Sequence, residues 1–355
     1  MFLRSIVLFI LCFYFNNIKA NNFNTLHETT NYNNSICCNK LKVTFNKNIA
    51  TYSIVERLTA AHKGWLFWID GKKKFTHLPM VRKAYLKYSK NNNTKIIKST
   101  LKYLSIVGNQ QDYTYQALIH HNTFPKKGYK YPLTDLNLDD KKLTALKIYI
   151  EDLRLFFIEN NINTFFTENK SFIRGGIKEF KKNSPNKYYK KLENYYGTKL
   201  YKYKVYLDPF NTLPLDEKDN DFFHGNGSKI KTKKGEIACI VSSPYLPIYS
   251  EKTNKYGFDH PDYVKLILTH EFGHSFINDN VFDIDLEALD IKNIFPQELL
   301  EKMKPQGYGN WKICLIEHIV RLGEIRIAEN LGDKQRAELL RKELHLKSLF
   351  KTKKS

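Results

Sequence analysis

Two histidines four residues apart, with a glutamate directly after the first, constrain the fold of this chain more than any other feature. Residues 270–274 read His-Glu-Phe-Gly-His. Side chains four positions apart project from the same face of an α-helix, so His270 and His274 can bind one metal ion. Pro261 is suited to the first turn of a helix and predicts that this helix begins there. We therefore expect a helix that carries a metal site.

The residues around the motif support this interpretation. Tyr263, Leu266, Ile267 and Ile277 fall within about 60° of the two histidines on a helical wheel. Unpaired imidazoles on such an inward apolar face would be costly, whereas a shared metal ion would pair them. The alternative is a pair of core histidines satisfied by hydrogen bonds.

The glutamate inside the motif has a separate role in this pattern. Glu271 lies about 100° from His270 on the helix, beside the open coordination position of the metal and outside its ligand set. Zinc lowers the pKa of water toward neutrality, and Glu271 would accept the proton as a general base. The motif therefore predicts a hydrolase with zinc as its cofactor.

A catalytic zinc site needs a third protein ligand, and the sequence offers several candidates. A second helix is predicted over Trp311–Asn330, and Glu317 and Glu324 share its apolar stripe, seven residues apart. Glu317 is the preferred ligand. Glu324 is an alternative ligand or a carboxylate that orients a ligand histidine, and the acids of 283–287 are a further alternative. Either glutamate could instead pair with Arg321.

The negative charge that develops on a substrate oxygen needs a donor or a cation near the metal. His318 and Arg321 lie beside Glu317 in the predicted helix, and Tyr308 precedes that helix. These three residues are the candidates for this catalytic role. The strand predicted over 236–241 is expected to bind an extended substrate by edge addition.

The N-terminus predicts export. Residues 1–20 begin with the basic Arg4, continue with an apolar stretch over 5–15 and end with the small residue Ala20. This order is typical of a secretory signal peptide and is too short for a membrane-spanning helix. We expect a secreted or periplasmic protein, with a retained N-terminal anchor as the alternative.

Four segments are expected after this signal. Residues 21–50 are rich in Asn and Thr and predict a flexible leader, whereas 51–198 carry apolar residues at helical spacing. From 199 onward, alternating β-forming residues predict strands. A catalytic core is expected over 199–335 and a basic C-terminal helix or tail over 336–355. The predicted fold class is α+β, with a helical region followed by a small sheet and two ligand-bearing helices.

Composition and charge exclude several classes of protein. Hydrophobic residues make up 42% of the 355 residues, too many for a disordered chain. Lysine and arginine number 57 against 36 acids, a net charge of +21, but the basic clusters are short and match no nucleic-acid-binding module. We expect a monomer with a peptide or protein substrate, no specific nucleic acid partner, and no transmembrane segment after signal cleavage.

With these residues the chain resembles zincin metallopeptidases of the gluzincin type. His270, Glu271 and His274 match the two histidine ligands and the general base of that group. Glu317, in the segment Ile-Glu-His-Ile-Val-Arg, matches the third ligand, although Ile316 stands where gluzincins carry Asn. The separation of Glu317 from His274 is also longer than the usual one.

The chain also looks like an uncharacterised family of secreted bacterial proteins, in which a mostly helical N-terminal half precedes this motif. The segment Phe75–Val81 belongs to that half, and the likeness would cover roughly 50–330. Together these resemblances imply zinc-dependent hydrolysis of peptide bonds by a zincin-like core. Two alternatives are a non-catalytic binding or scaffold protein that keeps the zinc helix, and a zinc hydrolase that acts on a non-peptide bond.

Overall fold

The structure is a computed structural model that describes residues 40–63, 79–108, 111–210, 225–244, 256–282, 297–298, 301, 304 and 310–349. It is a mixed α+β protein with a helical N-terminal region and a small sheet, which confirms the predicted fold class. The described residues form eleven α-helices and four β-strands.

The helices are α1 (Lys47–His62), α2 (Pro79–Tyr88), α3 (Thr94–Val107), α4 (Gln111–His120), α5 (Asp140–Glu159), α6 (Ile162–Glu168), α7 (Lys170–Asn183), α8 (Tyr189–Tyr196), α9 (Pro261–Phe282), α10 (Trp311–Asn330) and α11 (Lys334–Leu349). The strands are β1 (Leu41–Phe45), β2 (Lys202–Leu207), β3 (Gly225–Ile230) and β4 (Ile237–Ser242). A short 3₁₀ helix covers Thr134–Leu136.

The sheet has the order β1-β2-β4-β3. Strands β1, β2 and β4 run parallel, and β3 pairs with β4 in the antiparallel direction. β4 therefore has a partner on each side, and both rows of its backbone groups are used in the sheet. The prediction that 236–241 binds a substrate by edge addition is wrong for this reason, because the edge strands among the described residues are β1 and β3.

The predicted leader over 21–50 ends earlier than expected. Residues 21–39 lie outside the described residues, but Leu41–Phe45 form strand β1 and α1 begins at Lys47. The side chain of Asn46 accepts hydrogen bonds from the first-turn backbone amides of Asn48 and Ile49 and so caps this helix. The Leu-Lys-Val-Thr-Phe alternation of β1 is itself a strand signal, and it extends the folded region toward the N-terminus.

The helical region packs on one face of the sheet and forms the main hydrophobic core. α1 and α5 contribute Ile49, Val55 and Leu153, which are fully or almost fully buried, and the sheet contributes Cys239 and Val241. The helices α1, α3 and α5 contact one another most extensively within this region. The side chains of Tyr203, Val205 and Leu207 of β2 point away from that core. They face the opposite side of the sheet, where α9 lies.

The chain forms two compact units. The larger unit comprises 40–277 and 320–342 and holds the sheet and the helical core. The smaller comprises 1–39, 278–319 and 343–355, of which the structure describes parts of α9, α10 and α11 and a few single residues. α9 and α10 are each continuous helices.

No helix among the described residues combines the length and the apolar character needed to cross a membrane. The predicted signal peptide over 1–20 lies outside the described residues.

Candidate metal centre

Helix α9 carries the two histidines and begins at Pro261, as the sequence predicts. The helix is anchored on the sheet by Phe272, whose ring meets the ring of Tyr203 of β2 edge-on at a centroid distance of 5.0 Å. His270 is 7% exposed, and His274 is half-buried. The motif therefore lies on a helix that packs against the sheet.

The two imidazoles lie side by side on the same face of α9. The Nε2 atoms of His270 and His274 are 3.3 Å apart, and the rings are nearly perpendicular at 84°. This arrangement follows from the spacing of four residues, which brings side chains to the same face one turn apart.

The other ring nitrogen of His270 contacts Glu324 of α10. Nδ1 lies 2.6 Å from Oε1 of Glu324, and the two side chains are only 8% and 2% exposed. An ionised carboxylate only accepts hydrogen bonds, so Nδ1 carries the hydrogen and donates it. An imidazole that carries its hydrogen on Nδ1 can bind a metal through Nε2, which in His270 is the atom that faces His274. A carboxylate in this position fixes both the tautomer and the orientation of a histidine.

Glu317 lies with the two histidines. One possible ligand atom from each of His270, His274 and Glu317 lies within 4.8 Å of the other two. Glu317 and Glu324 are two helical turns apart on the continuous helix α10, so the same side of that helix carries both. The acids of 283–287, the third alternative in the sequence, lie outside the described residues.

The donor types, and the spacing of the two histidines, are those of a zinc site. Two nitrogens at about 2.0–2.1 Å from a tetrahedral zinc ion lie about 3.3–3.4 Å apart, which matches the 3.3 Å between the Nε2 atoms of His270 and His274. Two imidazoles and one carboxylate also form a known catalytic zinc set. Burial raises the pKa of the Cys314 thiol, one turn before Glu317, to about 11, so it does not compete as a thiolate near neutral pH.

The separation of 3.3 Å also suits an N–H···N hydrogen bond between the two rings. A satisfied histidine pair without a metal therefore remains the alternative to a metal site. Metal binding, measured directly, distinguishes the two.

The carboxylate of Glu271 lies against β3, and two glycines of that strand make the approach possible. A Cβ at Gly225 would lie 2.7 Å from both Cγ and Oε1 of Glu271. A Cβ at Gly227 would lie 2.6 Å from the backbone oxygen of Glu271 and 3.1 Å from Oε2. Glu271 is 5% exposed and sits between α9 and the edge strand.

The sequence pattern does not reveal the role of these glycines. Glycine and asparagine are poor strand formers, so the residues Gly-Asn-Gly at 225–227 predict no strand. The signal that could have revealed the strand is the spacing of the two glycines, since residues two apart lie on the same face and glycine in a strand marks a close approach.

The three candidates for charge stabilisation differ in their placement. Arg321 is half-buried on α10, one turn from Glu317 and one turn from Glu324, and so faces the same side as both. His318 is exposed, and its Nδ1 lies 2.7 Å from the backbone oxygen of Cys314 on the same helix. Tyr308 lies outside the described residues.

The comparisons with known proteins give a family but no activity. A family model described as a domain of unknown function (DUF4932) matches residues 133–342, which is more than half of the chain. No curated protein and no solved structure matches the chain. The matched span includes strands β2, β3 and β4 and every residue of the candidate metal centre. The chain belongs to the DUF4932 family of unknown function.

Proposed function

We propose that this protein is an exported zinc peptidase with a zincin-like core. His270, His274 and Glu317 hold the zinc ion, and Glu271 is the general base. The observation that carries the proposal is that three possible donor atoms, two from the His-Glu-Phe-Gly-His motif and one from Glu317 of α10, lie within 4.8 Å of one another. The buried contact of Glu324 with His270 supports it, because ligand histidines commonly have such a partner.

Each residue has a distinct task in this proposal. When bound, zinc would polarise the scissile carbonyl and lower the pKa of water toward neutrality. Glu271, outside the ligand set, takes up the proton of the attacking water and returns it to the leaving amine. Arg321 is the cation that offsets the negative charge developing on the carbonyl oxygen.

We propose that the substrate is an extended peptide bound along β3. This strand is one of the two edge strands among the described residues, and its Gly225 and Gly227 lie against Glu271. A peptide that adds to a sheet edge forms backbone hydrogen bonds along its length and is held extended. Binding along β3 would bring the scissile bond next to the general base, which the interior strand β4 could not do.

Mass-spectrometric mapping of cuts in a diverse peptide mixture tests the activity. The wild-type protein should cut, a chelator should stop the cutting, and zinc should restore it. Glu271→Gln should lower the cleavage rate about 10²–10⁴-fold without lowering the zinc content. Glu338→Gln, which changes an exposed acid on α11, is the matched control and should cut like the wild type.

The outcomes separate the proposal from its alternatives. Zinc binding without cleavage by any variant would contradict peptidase activity and support a binding or scaffold protein. Turnover of small esters or amides that depends on Glu271, with peptides left intact, would indicate a hydrolase for a non-peptide bond. Export is tested separately by N-terminal sequencing of the mature protein, which should begin near residue 21.

A further inference from the structure

A tyrosine hydroxyl lies where α9 and α10 approach each other. Tyr196 is the last residue of α8, and a Cβ built on Gly273 of α9 would lie 2.9 Å from its Oη. A Cβ built on Gly323 of α10 would lie 2.5 Å from the same oxygen. Only glycine at both positions leaves room for this hydroxyl, because real Cβ atoms do not approach other atoms so closely.

The ring of Tyr196 is held in a defined orientation. It stacks on Phe276 of α9 with a centroid distance of 4.7 Å and an angle of 11° between the planes. Its Oη is buried and has no hydrogen-bond partner among the described residues. Burial is the main cause that raises the pKa of this hydroxyl, and Tyr195 and Glu324 add to the shift, so the group is neutral.

This arrangement is costly in two ways, which argues against simple core filling. A buried hydroxyl without a partner is unfavourable, and phenylalanine would fill the same space without that cost. Glycine inside a helix is also less favourable than alanine, and two separate helices have one at this contact. Both unfavourable features occur at the same oxygen atom, the Tyr196 hydroxyl, which lies between the helix of His270 and the helix of Glu324.

Both glycines lie next to residues of the candidate metal centre. Gly273 directly precedes His274, and Gly323 directly precedes Glu324. A change in the separation of the helices at this contact would therefore change the 2.6 Å distance between Nδ1 of His270 and Oε1 of Glu324. Packed interfaces transmit such shifts because their interiors contain little free space.

We propose that Tyr196 is a positioning residue: its hydroxyl sets the separation of α9 and α10 and thereby holds Glu324 against His270. The consequence for zinc affinity rests on the proposed function, but the effect on the histidine does not. The two can be measured independently.

Tyr196→Phe is the test variant, and Tyr88→Phe is the matched control. Tyr88 lies in the helical region and also has a buried hydroxyl without a hydrogen-bond partner among the described residues. Both changes remove one such oxygen, but only the first does so at the contact between α9 and α10. A purely structural effect should appear equally in thermal unfolding of the two variants.

The first measurement is the ¹⁵N spectrum of the histidine rings in the metal-free protein. In the wild type and in Tyr88→Phe, His270 should be the Nδ1–H tautomer with the shift of a strongly hydrogen-bonded proton. In Tyr196→Phe that proton signal should move toward its ordinary position. An unchanged His270 signal in Tyr196→Phe would overturn the proposal.

The second measurement is zinc affinity by competition with a chromogenic chelator. Loss of a group that orients a ligand histidine weakens metal binding about 10–100-fold, and we expect Tyr196→Phe to lie at the lower end, about tenfold. Tyr88→Phe should bind zinc as the wild type does. Equal zinc affinity of all three proteins would also contradict the positioning role. If the wild type binds no zinc, the proposed function fails, and the His270 signal alone decides the inference about Tyr196.

Discussion

Nδ1 of His270 and Oε1 of Glu324 lie 2.6 Å apart in a buried contact between α9 and α10. The pair leaves the other nitrogen of His270 facing His274. Removing either side chain would leave the other buried without a hydrogen-bond partner, which destabilises the folded state. This contact therefore links the packing of the two helices to the orientation of a proposed ligand.

Glu324→Ala should weaken zinc binding about 10–100-fold, because His270 would lose the acceptor that fixes its tautomer. Glu324→Gln should have a smaller effect, since the amide oxygen can still accept from Nδ1. Chelator competition measures both. Glu329→Ala, which removes a more exposed acid from the same helix, should leave the affinity unchanged. A wild-type affinity in Glu324→Ala would contradict the role assigned to this carboxylate.

Glu317→Gln should lower zinc affinity more than about 100-fold, because it removes one of three ligands. Loss of a carboxylate that only orients a ligand lowers metal affinity by at most roughly 100-fold. Cobalt substitution provides a second measurement, since its absorption spectrum should change with the ligand set. The opposite order, with Glu324→Gln more damaging than Glu317→Gln, would show that Glu324 is the ligand and Glu317 the outer group.

Alanine at the two glycines of β3 should have different effects. At Gly227 the new Cβ would meet the backbone oxygen of Glu271 at 2.6 Å, so we expect a loss of about 1–3 kcal/mol in the free energy of unfolding. At Gly225 it would meet the side chain of Glu271, which can move aside, so turnover should fall more than stability. Urea unfolding and peptide cleavage rates measure these two effects.

Gly176→Ala in α7 is the control for both variants. Its Cβ would lie 3.5 Å from the ring of Phe258, an ordinary contact, and alanine favours a helix over glycine by about 1 kcal/mol. This variant should be at least as stable as the wild type and equally active. If Gly225→Ala behaves like it, the close approach of Glu271 to β3 is not required for activity.

The stability of the fold should depend on pH through Asp208, which follows β2 and is fully buried. The pKa of this carboxyl is raised from 3.8 to about 7, mainly by burial and also by the charge of Glu56, whereas hydrogen bonds from Ser53 and the backbone amide of Phe210 and the charge of Arg57 oppose the shift. The folded state therefore binds the proton more tightly than the unfolded chain. The contribution of Asp208 to stability should fall between about pH 4 and pH 7 and stay constant above that range.

Asp208→Asn isolates this effect, because asparagine keeps a similar shape without the charge. The difference between a pKa of 3.8 and one of about 7 corresponds to about 4 kcal/mol. The free energy of unfolding of the variant should therefore rise by up to that amount relative to the wild type as the pH rises to 7. Urea unfolding at a series of pH values measures the gain. Parallel pH profiles of the two proteins would contradict a raised pKa at Asp208.

The sequence alone predicts the helices of the site well, because helical periodicity is a local property. Pro261 was correctly predicted as the start of α9, and α10 was correctly predicted over Trp311–Asn330. The fold class was also predicted correctly. What could not be predicted is the edge strand, since Gly225–Ile230 contains weak strand formers and becomes a strand through its pairing with β4.

The two glutamates of α10 show what the sequence of this protein determines and what it does not. The spacing of seven residues determined that Glu317 and Glu324 share one side of the helix, and the spacing of four determined that His270 and His274 share a face of α9. Only the tertiary structure decided that Glu324 contacts Nδ1 of His270 while Glu317 lies with the two histidines. The physical reason is that periodicity fixes the directions of side chains within one helix, whereas the contact between two helices depends on how they pack.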